Sequence, residues 1–264
     1  MLEHLKKILL NPSQTLNLVS SKIKNKFFYA YYENRAKIFF KKKNYIRYFE
    51  ILENIKIKPE YADLYIIFNL IKKRKPKCVL EFGAGCSSFA IILALIENQK
   101  ENNIDGKLFS VDGNDKWLNN ILNLIPKNFL EYSSFLYSKP KISSYNNQII
   151  SFHENLPDVS PNFIYLDGPS HRDVEGDIKN IMFKEKIIED NKGKFKYIKK
   201  HRRIVAADPL LYETTSPSDF FILVDRRWSN ANFLKKNFKL DYDIKFDLSF
   251  GGRVTFEKKY QTFN

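Results

Sequence analysis

The chain has 264 residues, of which 44% are hydrophobic and 15% aromatic, so it can bury a core and is not disordered as a whole. Its two cysteines, Cys78 and Cys86, cannot build a disulfide framework or a cysteine-rich zinc site. The net charge of +14 suits nucleic acid, an anionic membrane or an acidic substrate, and it equally suits a general enrichment in lysine.

No segment of the sequence is predicted to cross a membrane or to direct export. The longest wholly apolar run, residues 89–96, has eight residues, whereas a membrane span needs about 20. The first residues contain only Ile8–Leu10 as an apolar stretch, which does not resemble a secretory signal. We therefore expect a cytoplasmic protein, and the basic N-terminal segment leaves contact with the inner face of the membrane open.

Residues 1–57 are predicted to be helical and basic. Residues 1–60 hold 13 basic and 5 acidic residues, and aromatic side chains are interleaved with lysine and arginine. Such a segment can bind nucleic acid, lie on a membrane surface, or pack its aromatic side chains on the rest of the protein and leave lysine in solvent. We interpret residues 1–58 as a helical appendage that ends near Pro59, and residues 59–264 as the main domain.

From about Glu60 onward, helical and strand patterns alternate. The predicted helices are 61–72, 87–98, 116–124 and 230–238. The predicted strands are 77–81, 107–112, 135–137, 148–152, 162–167 and 220–225, and residues 241–256 are predicted to form a closing hairpin. This order predicts a doubly wound, Rossmann-like α/β fold: a mostly parallel sheet with a C-terminal antiparallel hairpin, plus the N-terminal helical appendage.

Four acidic residues fall at the carboxyl ends of predicted strands: Glu81, Asp112, Asp167 and Asp225. Burial of a sheet explains the apolar strands, but it does not explain why an acid ends each of these four. In an open parallel sheet, ligands bind outside the carboxyl ends of the strands. The four acids are therefore the first candidates for site residues.

A glycine turn, Glu81-Phe-Gly-Ala-Gly-Cys-Ser-Ser88, joins the first predicted strand to a helix. Gly83 and Gly85 permit a tight turn and the close approach of a ligand to the backbone. The spacing departs from the dinucleotide fingerprint, because Ser88 occupies the third glycine position. A nicotinamide-dependent oxidoreductase is therefore disfavoured.

Segment 79–88 resembles motif I of class I S-adenosylmethionine (SAM)-dependent methyltransferases, and segment 110–118, Ser-Val-Asp-Gly-Asn-Asp-Lys-Trp-Leu, resembles the second motif of that superfamily. The resemblance covers about residues 60–256. It implies SAM as the cofactor, with both ribose hydroxyls on Asp112 and with Glu81 near the amino-acid end. The further cofactor contacts that it implies are Gly83, Gly85, Ser87, Asn114 and Asp167, with Trp117 as an adenine neighbour.

Segment 165–171, Tyr-Leu-Asp-Gly-Pro-Ser-His, is similar to the Asp-Gly-x-His segment of metal-assisted O-methyltransferases that act on sugars and natural products, with the histidine one residue later. By this resemblance Asp167 and Asp225 would bind Mg²⁺, although Arg226 stands where a second acid is often found. Without a metal, His171 would be the general base. Asp167, His171 and Asp225 are thus the candidate catalytic residues. Alternatively, Asp167 caps a turn and His171 lies on the surface.

Residues 173–211 form a longer connection than a simple crossover requires, and seven of the twelve residues 192–203 are Lys or Arg. This basic run is either a lid or specificity insert or a solvated charged helix. Together with Arg226 and Arg227, which we interpret as substrate-binding residues, it would suit an anionic substrate.

We therefore predict a SAM-dependent methyltransferase, with O-methylation of an anionic small molecule such as a sugar or surface-glycan precursor. A nucleic-acid methyltransferase is the main alternative. It is disfavoured because Asp167-Gly-Pro-Ser is not the Asn/Asp-Pro-Pro-aromatic motif of enzymes that methylate exocyclic amines. A non-catalytic binding module with the same fold is another alternative, and a homo-oligomer is left open.

Overall fold

The structure of the protein is a computed structural model. It describes residues 29–178, 181–182, 186–189, 195–198, 204–247 and 252–259. Predictions that concern residues 1–28 and most of the basic run 192–203 lie outside the described residues.

Helices flank a central sheet. They are α1 (29–42), α2 (Ile46–Glu50), α3 (Tyr61–Arg74), α4 (Cys86–Asn102), α5 (Asp115–Leu122) and α6 (Trp228–Asn237), with short 3-10 helices at Ile51–Ile55, Lys127–Tyr132 and Asp208–Tyr212. Within the described ranges, none of these helices is long and apolar enough to cross a membrane.

Fourteen strands are described. They are β1 (Cys78–Phe82), β2 (Lys107–Asp112), β3 (Ser133–Tyr137), β4 (Pro140–Tyr145), β5 (Gln148–His153), β6 (Phe163–Leu166), β7 (Asp177–Ile178), β8 (Ile181–Met182), β9 (Lys186–Glu189), β10 (Phe195–Ile198), β11 (Val205–Ala206), β12 (Phe221–Asp225), β13 (Tyr242–Asp247) and β14 (Arg253–Lys258).

Seven of these strands form the main sheet, in the order β13-β14-β12-β6-β1-β2-β3. The five strands from β12 to β3 run parallel, and β14 pairs antiparallel with β12 and with β13. From β1 the chain first builds outward through β2 and β3, and later adds β6 and β12 on the other side. The neighbouring strands β1 and β6 therefore mark the topological switch point, where ligands bind in folds of this type. The predicted fold class is confirmed.

The sheet is buried on both faces. Val79 of β1 packs with α3 and α4 on one face, while Leu80 and Phe82 pack on the other face with residues of α6. Burial on both faces explains why the parallel strands read as continuous apolar runs instead of alternating ones. Each fully buried Leu or Phe stabilises the fold by roughly 1.5–3 kcal/mol relative to an exposed side chain.

The described part of the N-terminal segment packs against the sheet domain. Phe40 of α1 is fully buried, and its ring centroid lies 4.9 Å from that of Phe49 and 5.9 Å from that of Phe68 in α3. The Glu33 carboxylate accepts hydrogen bonds at 2.8 Å from the backbone N–H groups of Tyr61 and Ala62, which are free at the start of α3. Most aromatic side chains of residues 29–57 thus pack on the domain, which was one of the expected alternatives, whereas Tyr31 and Tyr32 are exposed. The domain boundary near Pro59 stays a prediction.

Two stretches differ from the sequence-based expectations. Strand β4 was not predicted, because Pro-Lys-Ile-Ser-Ser-Tyr contains few apolar residues; it pairs with β5 through a turn at Asn146 and Asn147, both left-handed at φ 45° and 59°. In the basic run, residues 195–198 form β10, which pairs with β9, so the interpretation as a charged helix is wrong there. Strands β4, β5 and β11 form a second, three-stranded sheet.

Candidate active site

The carboxyl ends of β1, β2, β6 and β12 meet at one edge of the main sheet. Because these strands are parallel neighbours, the edge gathers Glu81, Asp112, Asp167 and Asp225, as the sequence predicts. The four side chains nevertheless have different surroundings. Three are buried, whereas the side chain of Asp167 is 53% exposed.

The loops that follow β1 and β6 touch each other backbone to backbone. Gly83 has a φ of +102°, and a Cβ placed there would lie 3.1 Å from the backbone nitrogen of Gly168. A Cβ at Gly168 would lie 2.7 Å from the nitrogen of Gly83. Only glycine permits this contact, and Gly83 additionally requires glycine for its backbone conformation. The contact fixes the two loops at the switch point.

Gly85 borders open space. A Cβ built at this residue meets no atom within 4 Å, and its φ of 178° is extended backbone that other residues adopt. The residue directly precedes α4, whose first backbone N–H groups have no partners within the helix. A small ligand can therefore approach the backbone here, next to the positive end of a 17-residue helix. The predicted contact of Gly83 and Gly85 with the cofactor stays a prediction.

Glu81 stabilises the glycine loop through hydrogen bonds. Its carboxylate is fully buried and accepts hydrogen bonds from the hydroxyls of Ser87 at 2.5 Å, Ser88 at 2.5 Å and Ser110 at 2.6 Å. Burial raises the pKa of Glu81 to about 7, although the hydrogen bonds from the three hydroxyls lower it. Ser88 also accepts a hydrogen bond from the backbone of Gly85 at 3.1 Å. The role of Ser110 is not visible in the sequence, because it lies inside a strand.

Asp112 joins the end of β2 to the same loop. One carboxylate oxygen accepts the backbone N–H of Ala84 at 2.9 Å, and the other accepts that of Asn114 at 2.8 Å. Burial raises the pKa of Asp112 to about 6, and these two hydrogen bonds lower it. An ionised carboxylate offers about four acceptor positions, so acceptor capacity remains for two ribose hydroxyls. The geometry is compatible with the predicted ribose contact.

Asn114 and Trp117 hold the neighbouring loops together. Asn114 caps α5 by accepting the backbone N–H of Trp117 at 3.0 Å, and its amide donates to Asp173 at 3.1 Å. The indole N–H of Trp117 donates to the backbone oxygen of Ala84 at 2.8 Å. Both predicted adenine neighbours therefore border the glycine loop while their polar atoms already have protein partners. Their contact with adenine stays a prediction.

Asp167 is the exposed acid of the edge. The Nε atom of Arg227 lies 3.5 Å from its carboxylate, and the same guanidinium donates to the backbone oxygens of Asp167 and, at 3.0 Å, of Pro169. Partial burial raises the pKa of Asp167 to about 6, whereas Arg227 lowers it. The half-exposed carboxylate can reach a ligand at this edge of the sheet, and Arg227 already holds this loop through its hydrogen bonds.

Asp225 has no such freedom. It is buried, its carboxylate accepts the hydroxyl of Tyr165 at 3.1 Å, and its other oxygen lies 3.3 Å from Nε of Arg253. Arg253 in turn forms an ion pair with Asp63 of α3. These surroundings disfavour the direct catalytic role expected for Asp225, because both of its carboxylate oxygens face protein groups.

Arg226 belongs to the same group of charges. Its backbone is left-handed, at φ 52°, and its guanidinium pairs with Glu60 and Asp63 at the start of α3. Burial raises the pKa of Asp63 to about 7, although the positive charge of the nearby Arg253 lowers it. We call Asp63, Asp225, Arg226 and Arg253 the charge network. Asp63 and Arg253 were missed from the sequence, since no local pattern links residues so far apart in the chain.

His171 is exposed on the loop that follows β6. This loop reaches the end of β2, because Asp173 accepts the amide of Asn114. The structure thus brings His171 to the predicted edge, near Asp167 in the chain, and its role as a base stays a prediction. A second histidine near this edge, His153, was not singled out from the sequence. Its buried ring stacks on Phe82 with 5.5 Å between the ring centroids, and its Nδ1 atom lies 3.2 Å from a carboxylate oxygen of Asp208.

The residues present do not fit a divalent cation. The hydroxyl of Tyr165 donates to one oxygen of Asp225, and the other, which accepts no hydrogen bond, lies 3.3 Å from Nε of Arg253. Arg227 lies beside Asp167, so each carboxylate already has a fixed positive charge next to it. Among the described residues, no group of three or more His, Cys, Asp and Glu side chains could hold a metal. Mg²⁺ prefers near-ideal octahedral oxygen coordination, which this arrangement does not offer. The prediction of a metal at Asp167 and Asp225 is not supported.

Comparison with known proteins supports the fold alone. No family model matches the sequence, and no curated protein matches it either. A structure described as a candidate caffeoyl-CoA O-methyltransferase from Staphylococcus aureus is 12% identical, with a TM-score of 0.50 over 90% of this chain and 100% of that chain. The SAH-bound methyltransferase PaMTH1 from Podospora anserina is 13% identical, with a TM-score of 0.49 over 94% and 97% of the two chains.

The match to the Staphylococcus aureus structure and the strand order both concern the fold. Numbered within the seven-stranded sheet, the order is 3-2-1-4-5-7-6, with the seventh strand antiparallel. The chain has the fold of class I SAM-dependent methyltransferases, as the resemblance of segments 79–88 and 110–118 implied.

Proposed function

We propose that the chain transfers the methyl group of SAM to an oxygen atom of an anionic small molecule, such as a sugar or surface-glycan precursor. The observation that carries the proposal is the open space at Gly85. It lies at the carboxyl end of the central strand β1, with Asp112 at the end of one neighbouring strand and Asp167 at the end of the other. A cofactor site and an acceptor site can therefore share one crevice.

The cofactor side would use groups that the fold already fixes. Asp112 would accept the ribose hydroxyls, and the backbone beside Gly85 would let the amino-acid portion approach the start of α4. Glu81 would act mainly by holding the loop in place, since its carboxylate is enclosed by three serine hydroxyls. When bound, SAM supplies a methyl group that is activated by the positive charge on sulfur.

On the acceptor side, Asp167 is the better general base of the two strand-end aspartates. Its side chain is half-exposed, and a pKa of about 6 leaves it ionised at neutral pH and still able to accept a proton. Asp225 is enclosed by Tyr165 and Arg253, so we assign it to positioning. His171 is the second candidate base, because it lies on the same exposed loop.

The anionic character of the acceptor is supported by charge. The net charge is +14, and seven cations lie in residues 192–203. Arg226 and Arg227 contribute less than expected, because Glu60, Asp63 and Asp167 already pair with them. The basic run would therefore supply most of the attraction for phosphate or carboxylate.

Calorimetry with SAM and its demethylated product SAH tests the cofactor side. We expect Asp112→Ala to lose about 1.5–3 kcal/mol of binding free energy, or roughly 10- to 150-fold in affinity. Asp115→Ala is the matched control, because Asp115 is an exposed acid in the first turn of α5. Wild-type affinity in the Asp112 variant would refute the assignment.

A substrate panel tests the acceptor side. Sugar nucleotides and phosphosugars, assayed with labelled SAM, should accept the methyl group, and chelator should leave turnover unchanged. Methylation confined to RNA or DNA would refute the substrate class. Turnover that disappears with chelator and returns with Mg²⁺ would refute the conclusion that the site does not fit a metal.

A further inference from the structure

The outward face of α1 combines exposed hydrophobic and basic side chains. The helix buries Ala36 and Phe40 against the domain, and Glu33 points the same way to cap α3. On the opposite side, at helical spacing, lie residues that we call the outer stripe: Tyr31, Asn34, Arg35, Ile38, Lys41 and Lys42. All six are exposed.

Two features of the outer stripe call for an explanation. Ile38 is 45% exposed and Tyr31 is 57% exposed, and they lie two helical turns apart in the stripe, with Asn34 and Arg35 between them. The guanidinium of Arg35 lies 5.7 Å from the ring centroid of Tyr31, so the aromatic ring is flanked by positive charge. Exposed apolar side chains with cations beside them are a feature of helices that lie in a membrane interface.

The charge of this region has one sign. Between residues 29 and 49 the sequence contains six lysine and arginine residues and a single acid, Glu33. Because Glu33 binds the backbone of Tyr61 and Ala62, it does not neutralise the outer face. Lys43, by contrast, is paired with Glu97 and lies outside the stripe. The stripe thus presents cations without a compensating acid on the same face of the helix.

We propose that the outer stripe docks the protein on an anionic lipid surface, with Ile38 and Tyr31 at the level of the headgroups and Arg35, Lys41 and Lys42 on the phosphates. The charge of the stripe complements the surface potential of an anionic leaflet, and each cation near such a surface strengthens binding by about fivefold. The aliphatic Ile38 at its centre favours lipid over nucleic acid, which binds through stacking aromatics and cations. The inference is independent of the proposed reaction.

Vesicle co-sedimentation of the full chain tests the proposal. Vesicles of phosphatidylglycerol and phosphatidylcholine should bind the protein, and vesicles of phosphatidylcholine alone should bind it much less. Higher salt should weaken the binding, because surface attraction is screened. The two variants that carry the test are the charge reversal K41E/K42E and the substitution Ile38→Asp.

Each variant has a matched control. K235E/K236E reverses two adjacent lysines in the last turn of α6, as K41E/K42E does in the last turn of α1. Leu211→Asp alters an apolar side chain that is 54% exposed elsewhere on the described surface. We expect K41E/K42E to lose at least roughly 25-fold in vesicle affinity and Ile38→Asp at least about tenfold, while both controls stay near wild type.

Three outcomes would overturn the proposal. The first is that the protein does not bind anionic vesicles. The second is that K41E/K42E and K235E/K236E lose the same vesicle affinity. The third is that the protein binds RNA or DNA and not vesicles, and that K41E/K42E abolishes this nucleic-acid binding. All changed residues are exposed, so thermal unfolding should be unaltered in every variant. A loss confined to the stripe variants in a folded protein supports the docking surface.

Discussion

Gly85→Ala should leave the fold intact and weaken the binding of SAM and SAH. The added methyl group meets no protein atom within 4 Å, and the φ of 178° accepts alanine. In the proposed site, that open space is where the cofactor approaches the backbone at the start of α4. The substitution therefore separates an effect on the ligand from an effect on the protein.

The expected change in stability is small because two terms oppose each other. Replacing glycine by alanine in a compatible conformation stabilises by about 0.4–1 kcal/mol through the unfolded chain. Losing glycine at the cap of a helix costs about the same amount. The midpoint of thermal unfolding should thus stay within roughly 4 °C of wild type. One methyl group in a close-fitting site should lower cofactor affinity by about 10- to 200-fold.

Gly83→Ala is the contrasting control in the same loop. Its φ of +102° is unfavourable for alanine, and the new Cβ would lie 3.1 Å from the backbone of Gly168. The strained backbone alone should cost about 1–3 kcal/mol, so this variant should be less stable as well as weaker in binding. Differential scanning fluorimetry and calorimetry with SAH measure both quantities. A folded Gly85→Ala variant with wild-type affinity would show that the cofactor does not approach this loop.

Three further predictions concern the acids. Asp63→Ala should destabilise by about 3 kcal/mol in urea unfolding at pH 8, because it leaves Arg253 buried without this partner; a change under 1 kcal/mol would contradict the charge network. Folding raises the pKa of Glu81 from 4.5 to about 7, so the folded state binds this proton more tightly than the unfolded state does. The free energy of unfolding should therefore decline as pH rises from about 4.5 to 7, and Glu81→Gln should remove the part of the decline that is due to Glu81. If Asp167 is the base, turnover should rise through pH 6 and Asp167→Asn should lower it by roughly 10²–10⁴-fold, whereas a larger loss in His171→Ala would transfer the role.

The sequence by itself determined where the main parallel strands lie along the chain and which acids follow them. Parallel strands buried on both faces appear as short apolar runs, so β1, β2, β6 and β12 are visible without a structure. An acid at the end of such a run marks the carboxyl end of the strand, and Gly83 and Gly85 mark a turn that few other residues permit. These are local signals, and each depends on residues within one element and its adjoining loop.

Strand β4 shows where local signals are weak. Half of its residues are exposed and no apolar alternation appears in its sequence, and its pairing with β5 depends on the left-handed turn at Asn146 and Asn147. The asparagine pair was the available signal for a hairpin, but it lies between strands that are predicted weakly or not at all.

The tertiary structure alone decided which of the acids is available for chemistry. Asp167 and Asp225 look alike in the sequence, since each ends a buried strand, yet Asp225 is enclosed by Tyr165 and Arg253 while Asp167 remains half-exposed. Arg253 reaches Asp63 across 190 positions of the chain. Charges interact through space, so their partners depend on how helices and strands pack, and the periodicity of a sequence reports only which side of each element is buried.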